Sequence, residues 1–483
     1  MTRLIVTALL LTVGFFVGVT LLGFWPTLII GGLTFAGWAT GFLRIGSATR
    51  RAAEGERPHS LTGYYATYVA LWTGLPTFLF LLTWVFLQEP VIQHLLVQSM
   101  PADSIDGLSA NQISLLVSEI RNVAAGRIFG EPSPAVLEAA ERYTRWIAIA
   151  DQMKFAALFA VGLLGLGLSA ARIKMMFRAR QGVERIINAL LVLSSTIAIL
   201  TTVGIVASLA FEAWRFFERV PVHDFLFGLN WEPQIAIRAD QVASTGAFGA
   251  VPVFAGTLLI SSIAILFATV LGLPAAIYLS EFASDAQRRI IKPLLEILSG
   301  VPTIVYGFFA VLVISPAIRT LFGDTLGLET SPNSALGAGL VMGVMIVPFV
   351  SSLSDDAINA VPQAMRDGSI ALGATRAETM LQVLLPAALP GIVGGMLLAV
   401  SRAIGETMIV VMAAGIIASL TINPLDSVTT VTVQIVTLLT GDSEFDNPKT
   451  LSAFGLGLFL FIFTLMLNVV ALRIVQKYRE QYE

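Results

Sequence analysis

The sequence predicts an all-α integral membrane protein of about ten transmembrane helices, and three observations carry that prediction. Only 13% of the 483 residues are charged and 56% are hydrophobic, with a mean hydropathy of +0.81, whereas an ordinary soluble domain is about 25% charged. The apolar residues gather in uncharged runs close to the ~20 residues that a helix needs to cross a hydrocarbon core of about 30 Å. Lys and Arg fall almost entirely between those runs. A soluble enzyme is excluded on this composition. The net charge of -3 gives no basic field for a nucleic-acid backbone. With no Cys, and with His59, His94 and His223 far apart, neither a disulfide nor a metal site is expected, and no cofactor is called for.

In chain order the expected spans are 4–22, 25–43, 64–87, 155–171, 187–211, 252–279, 297–316, 334–353, 388–418 and 452–472. The first is too long for a secretory signal and lacks a small-x-small cleavage site, so it reads as a retained span. The ninth is long enough that it must tilt, bend or begin outside the hydrocarbon. Orientation follows from the positive residues. With Met1 inside, 18 Lys and Arg lie in inner connections and nine in longer outer ones, which puts both termini in the cytoplasm.

Three connections are long enough for structure of their own. Residues 88–152, outside, combine helical spacing at Ile113, Leu115, Leu116 and Ile120 with a Ser133-Pro134 helix start, and predict a small external lobe. Residues 212–251, also outside, carry Trp214, Phe216, Phe217, Phe225, Phe227 and Trp231. These suit an interfacial aromatic belt or a docking surface. The inner segment 355–386 is too polar to span. It reads as two short amphipathic pieces on either side of Gly373, where a positive φ is permitted, with Pro386 ending the second piece as the next span begins. Its apolar residues, Ile370, Leu372, Met380, Leu381, Val383, Leu384 and Leu385, can face the bundle, a membrane surface or a partner.

That segment resembles the EAA loop of ABC-importer permeases: Glu-Ala-Ala, three residues, Gly, nine residues, Ile-x-Leu-Pro. Asp367-Gly368-Ser369 stands in the triplet, Gly373 follows after three residues, and Val383-Leu384-Leu385-Pro386 follows after nine more. The resemblance implies that Asp367, Gly368, Ser369, Gly373 and Pro386 belong to an ATPase-coupling element. Further motifs narrow the likeness. Ser299 to Gly307, Gly256-Thr257-Leu258, Ala276 to Glu281, and Arg402-Ala403-Ile404-Gly405-Glu406-Thr407 together look like the Pst-type phosphate permeases, and Asn230-Trp231-Glu232-Pro233 looks more like the PstC-type subunit.

The resemblance implies a type I ABC-importer permease core in residues 185–483, with six spans. Residues 1–184, with four spans and the 88–152 lobe, stand outside that pattern as an N-terminal extension. It further implies a bacterial inner-membrane location and transport of inorganic phosphate. The expected partners are a homologous PstA-type permease, two cytoplasmic ATPase subunits, an external phosphate-binding protein and the lipid bilayer. ATP hydrolysis belongs to the partner, since the chain contains no Gly-x-x-x-x-Gly-Lys-Ser/Thr loop.

Within the expected spans only Arg402 and Glu406 are charged. Such residues are costly in hydrocarbon and commonly mark a pathway or a buried partner. Their i, i+4 spacing suggests a pair on one helix face, which serves either as a structural clamp or as an anion path. A guanidinium suits phosphate oxygens. In the Pst-type family the Arg and Glu of this motif are associated with that path, and Thr407 adds a hydroxyl. Other readings remain: a permease for sulfate, molybdate or tungstate, a secondary anion carrier, or a membrane sensor or scaffold.

Overall fold

The computed structural model describes residues 18–20, 23–51, 57–101, 109–127, 132–234, 246–440 and 446–479. The expected first span, 4–22, both chain ends and Arg238 therefore lie wholly or mostly outside the described residues. Among the described residues, nine helices are long and apolar enough to cross a membrane, matching the other nine expected spans one for one. The chain divides into two compact units, Met1–Ile199 and Leu200–Glu483.

The first unit is built on three long helices, α1 (Phe24–Arg51), α2 (Thr62–Gln98) and α4 (Pro134–Ala171), with the short α3 (Ala110–Ala124) between the last two. α2 and α4 run for 37 and 38 residues. At 1.5 Å per residue each is about 55 Å long, well beyond the ~30 Å of a hydrocarbon core. The surplus falls within residues 88–152. There Ile92, Leu96, Met100, Ile120, Val136, Ala139, Ala140 and Tyr143 make a separate small core. Ser109 and Gln112 close a capping box on α3, and Ser133 caps α4 ahead of Pro134, the latter as the sequence anticipates. Deeper in the unit the helices approach closely at small residues. A side chain at Gly41 would meet the Tyr65 carbonyl at 2.8 Å, and one at Gly165 the Trp72 carbonyl at 2.4 Å.

The unit boundary falls within α5 (Ala179–Phe217). In the second unit, α6 (Val222–Phe227) and the two-residue strands β1 (Trp231–Glu232) and β2 (Ala247–Phe248) precede the bundle, the strands pairing antiparallel with Trp231 opposite Phe248. The aromatic stretch is mostly neither belt nor docking face. Phe216, Phe225 and Trp231 are buried in one cluster with Val253, Val431 and Leu456, and only Trp214 and Phe227 of the group stand largely exposed. Edge-to-face ring contacts at 5.4 to 6.4 Å, such as Phe216 with Phe225 and Phe225 with Trp231, explain why these rings prefer one another to solvent.

The bundle follows. α7 (Val251–Ile277) continues through a wide π-type turn to Phe282. α8 (Asp285–Gly300) is amphipathic and buries none of its residues, while α9 (Thr303–Phe309) continues in helical and π-type turns to Thr325. The expected span 297–316 therefore begins at Thr303. Val301 and Pro302 are extended and separate α8 from it, because the residue before a proline resists the helical conformation. In contrast, Gly272-Leu273-Pro274 stays inside α7. α10 (Ala335–Asn359) is the most buried span, packed on α7 around Ile260, Ala264, Val341, Met345 and Ile346. α11 (Gln363–Ala371), α12 (Arg376–Thr379), α13 (Leu385–Ile404), α14 (Met408–Ala413), α15 (Val431–Leu439) and α16 (Pro448–Arg479) complete the chain.

Candidate functional site

The expected ninth span, 388–418, is not one helix. α13 ends at Ile404, residues 405–407 break the helix, α14 covers six residues, and 414–430 run without helix until α15. The depth of the break follows from packing. A side chain at Gly391 would meet Ala357 at 2.9 Å and one at Gly395 would meet Leu353 at 2.9 Å, so α13 and α10 run antiparallel in register. Carrying that register onward sets Arg402 level with Ile346, near the middle of α10. Irregular backbone at such depth needs protein or water around it to satisfy its polar groups.

Side chains supply much of that satisfaction. The Thr257 hydroxyl accepts from the Val431 N–H at 3.0 Å, and the Thr432 hydroxyl donates to the Glu406 carbonyl at 2.9 Å. The Gln434 amide donates to the Ile416 carbonyl at 2.7 Å and to the Thr429 hydroxyl at 3.1 Å, while its oxygen accepts from the Trp231 indole at 2.9 Å. Ser419 donates to the Ser427 carbonyl at 2.7 Å. Gly256 leaves room for the approach, since any side chain there would meet the Thr429 carbonyl at 2.2 Å.

The two mid-depth charges are handled separately. Because α13 stops at Ile404 with Gly405 as its cap, Arg402 and Glu406 do not share a helix face, and the described residues show no ion pair between them. The pairing expected from i, i+4 spacing is thus corrected by the helix end. Arg402 lies in the last turn of α13, where the carbonyl end of a helix favours a cation. Its guanidinium sits 5.5 Å from the centre of the Phe349 ring. Glu406 instead caps α14, its carboxylate accepting from the backbone N–H of Met408 at 3.1 Å and of Ile409 at 3.4 Å. Thr407 donates to the Gly405 carbonyl at 3.4 Å. Arg402 remains exposed on the surface of this chain.

The 355–386 segment folds as two pieces around Gly373, whose φ is +93°. Its first residues prolong α10 to Asn359. The Ser369 and Thr379 hydroxyls bond at 2.9 Å and clasp α11 to α12. Asp367 accepts from Gln363 at 3.0 Å, and positions Gly368 and Gly373 have open space around them. Pro386 does not end the second piece. Helix runs from Arg376 to Ile404 through a π-type turn at Met380–Leu384, and Pro386 sits at the second residue of α13. A wide turn accommodates the ring and its missing N–H without breaking the helix. Of the apolar residues, Met380 and Leu384 are buried, whereas Leu372 is 91% exposed and Ile370 and Leu381 are also open.

Two buried carboxylates escaped the sequence reading because the expected spans stopped short of them. Asp355 on α10 accepts from Arg288 at 3.0 Å and from Lys292 at 2.9 Å, both on α8, and from the Asn359 side chain at 2.8 Å. Glu281, at the end of α7, pairs with Arg366 of α11. The i, i+4 spacing of Arg288 and Lys292 on an amphipathic helix was the available signal.

A family profile described as a binding-protein-dependent transport system inner membrane component matches residues 268–480. A second, described as a phosphate ATP-binding cassette transporter, matches residues 27–201 and so covers most of the first unit. The chain is 31% identical over 289 residues to the "Probable ABC transporter permease protein YqgH" of Bacillus subtilis, covering 59% of this chain and 88% of that one. It is 29% identical over 282 residues to the phosphate transport system permease protein PstC of Mesorhizobium japonicum, with 56% and 82% covered. To PstC 1 of Mycobacterium bovis it is 31% identical over 277 residues, with 52% and 81% covered. With the transport-permease profile on its bundle and relatives of PstC type aligned over most of their length, the chain belongs to the PstC-type family of ABC transporter permeases.

Proposed function

We propose that this chain is a permease subunit of an ATP-driven importer of inorganic phosphate in the bacterial inner membrane, with both termini cytoplasmic. It forms the translocation path with a homologous PstA-type permease, receives phosphate from an external binding protein, and is driven by two cytoplasmic ATPase subunits. The observation that carries this reading is the broken span. A permanently charged guanidinium stands at mid-depth, open on the chain surface and not neutralised by Glu406. An oxyanion is the ligand such a group suits. Arg402 contacts the anion, Glu406 holds the break open by capping α14, and Thr407 offers a hydroxyl beside it. The PstC relatives favour phosphate over sulfate, molybdate or tungstate.

The coupling surface is the tip around Gly373. Asp367, Gly368 and Ser369 lie on α11, Leu372 projects, and Gly373 turns the chain, leaving an open face for the ATPase. Pro386 lies where that element joins α13.

Uptake of radiolabelled phosphate by vesicles holding the complete complex tests the reading. Arg402→Gln should lower ATP-driven uptake about 10- to 100-fold, the worth of one or two hydrogen bonds to a charged group. Unchanged uptake would remove the assigned role of Arg402. Competition by sulfate or molybdate as strong as by unlabelled phosphate would instead redirect the substrate. Separately, Asp367→Arg with Gly373→Leu should prevent co-purification of the ATPase.

A further inference from the structure

Helix α11 presents a mechanical problem. It buries none of its residues, so apolar packing does not hold it against the bundle. Among the described residues its fixed points are polar: the Ser369–Thr379 hydroxyl contact to α12, and the ion pair between Arg366 and Glu281. That pair is sheltered, the Glu281 side chain being 8% exposed and that of Arg366 21%. Arg366 is the polar partner of the Glu281 carboxylate among the described residues. A polar chain then runs along α11, because Arg366 donates to Gln363 at 3.2 Å and Gln363 donates to Asp367 at 3.0 Å.

Glu281 occupies the π-type turn that ends α7, and α7 packs along the length of α10. Leu273 and Ile277 of α7 also touch the small core of Met380, Leu384, Ala388 and Ile392 beneath the loop. The covalent routes from α11 lead elsewhere, back through residues 360–362 into α10 and onward through α12 into α13.

We propose that Glu281 and Arg366 are positioning residues that fasten α11 to the end of α7, so that movement imposed on the coupling element reaches the bundle through α7 as well as through α10 and α13. The inference rests on the importer reading above and assigns a task to two residues that touch neither phosphate nor the break. A sheltered ion pair suits it because a charged partner cannot slip to a neighbouring position without leaving the other charge uncompensated. The two helices then shift as one body.

The test uses the assembled complex in proteoliposomes, reading inorganic phosphate moved per ATP hydrolysed. Glu281→Gln and Arg366→Gln should each lower that ratio about tenfold while ATP hydrolysis continues, because either change leaves one sheltered charge without its ion-pair partner. A merely structural role would lower uptake and hydrolysis together and leave the ratio unchanged, and that result overturns the proposal. A rescue keeps the test open if single variants assemble poorly. The chain has no Cys, so Glu281→Cys with Arg366→Cys introduces the only two thiols in it. Joining them with a short thiol-specific bifunctional reagent should restore the ratio, since the two sites are argued to move together. If cross-linking fails to restore coupling or blocks uptake, the two helices separate in the cycle and the proposal is wrong. Absence of phosphate uptake by the unmodified complex would be a different failure, that of the importer reading itself.

Discussion

The aliphatic hydroxyls buried in the helices of the first unit and those around the break in the second are held differently. In the first unit, Thr73 donates to the Val69 carbonyl at 2.8 Å, Thr77 to the Thr73 carbonyl at 2.7 Å, and Ser169 to the Gly165 carbonyl at 2.6 Å, each within its own helix. In the second, Thr257 donates to the Val253 carbonyl of its own helix at 2.8 Å but also accepts from the Val431 N–H, 174 positions away, and Thr432 donates to the Glu406 carbonyl, 26 away. The carboxylates differ in shelter. Asp151 of the first unit pairs with Lys154 on the same helix, accepts from Gln88 of α2 at 3.4 Å and is 43% exposed, whereas Asp355 of the second is 3% exposed and holds two cations of α8. Continuous helices satisfy their own backbone, so a threonine or serine in them can return its proton to the preceding turn. A broken span leaves backbone groups that distant side chains must meet.

If this contrast is right, substitutions of one type should behave differently in the two units, as read by thermal or denaturant unfolding in detergent. Asp355→Ala should be the most costly, about 3 kcal/mol, because two cations lose a buried partner. Asp151→Ala should cost less than about 1 kcal/mol, as for an exposed pair. Next, Thr257→Val should cost about 2 kcal/mol by leaving the buried Val431 N–H unbonded, while the equally buried Thr73→Val should stay within about 0.5 kcal/mol. Equal effects would erase the distinction. Glu406→Ala should cost about 1 kcal/mol through loss of the cap on α14, with Glu406→Gln recovering part of it because the amide oxygen still accepts. A small loss is also expected for Gly373→Ala. No neighbour obstructs a methyl there, so only the positive φ opposes it, at about 1 kcal/mol or less.

Much of the fold was legible because hydrophobic length is a nearly sufficient signal for a membrane helix. The nine expected spans within the described residues each overlap a helix long enough to cross a membrane, and the cap at Ser133 and the turn at Gly373 were equally local. The errors have one cause. Runs such as 388–418 are apolar throughout, so hydropathy alone reads straight across Gly405, and it also stopped the eighth span before Asp355 although the helix continues. The Thr-Thr-x-Thr-x-Gln run at 429–434 carried a faint signal, since so many hydroxyls beside an apolar stretch foreshadow irregular backbone to be satisfied.

By itself the sequence determined that the chain enters a membrane, roughly where most of its long helices lie and which turn is made at Gly373, because each follows from the composition and spacing of a short window. Only the tertiary structure decided that Arg402 and Glu406 belong to different helix ends rather than to each other. It also decided that Asp355 and Glu281 are sheltered and that distant hydroxyls support residues 405–430. Those outcomes depend on which helix lies alongside which, and hydrogen-bond satisfaction across such contacts has no period that a single stretch of sequence can display.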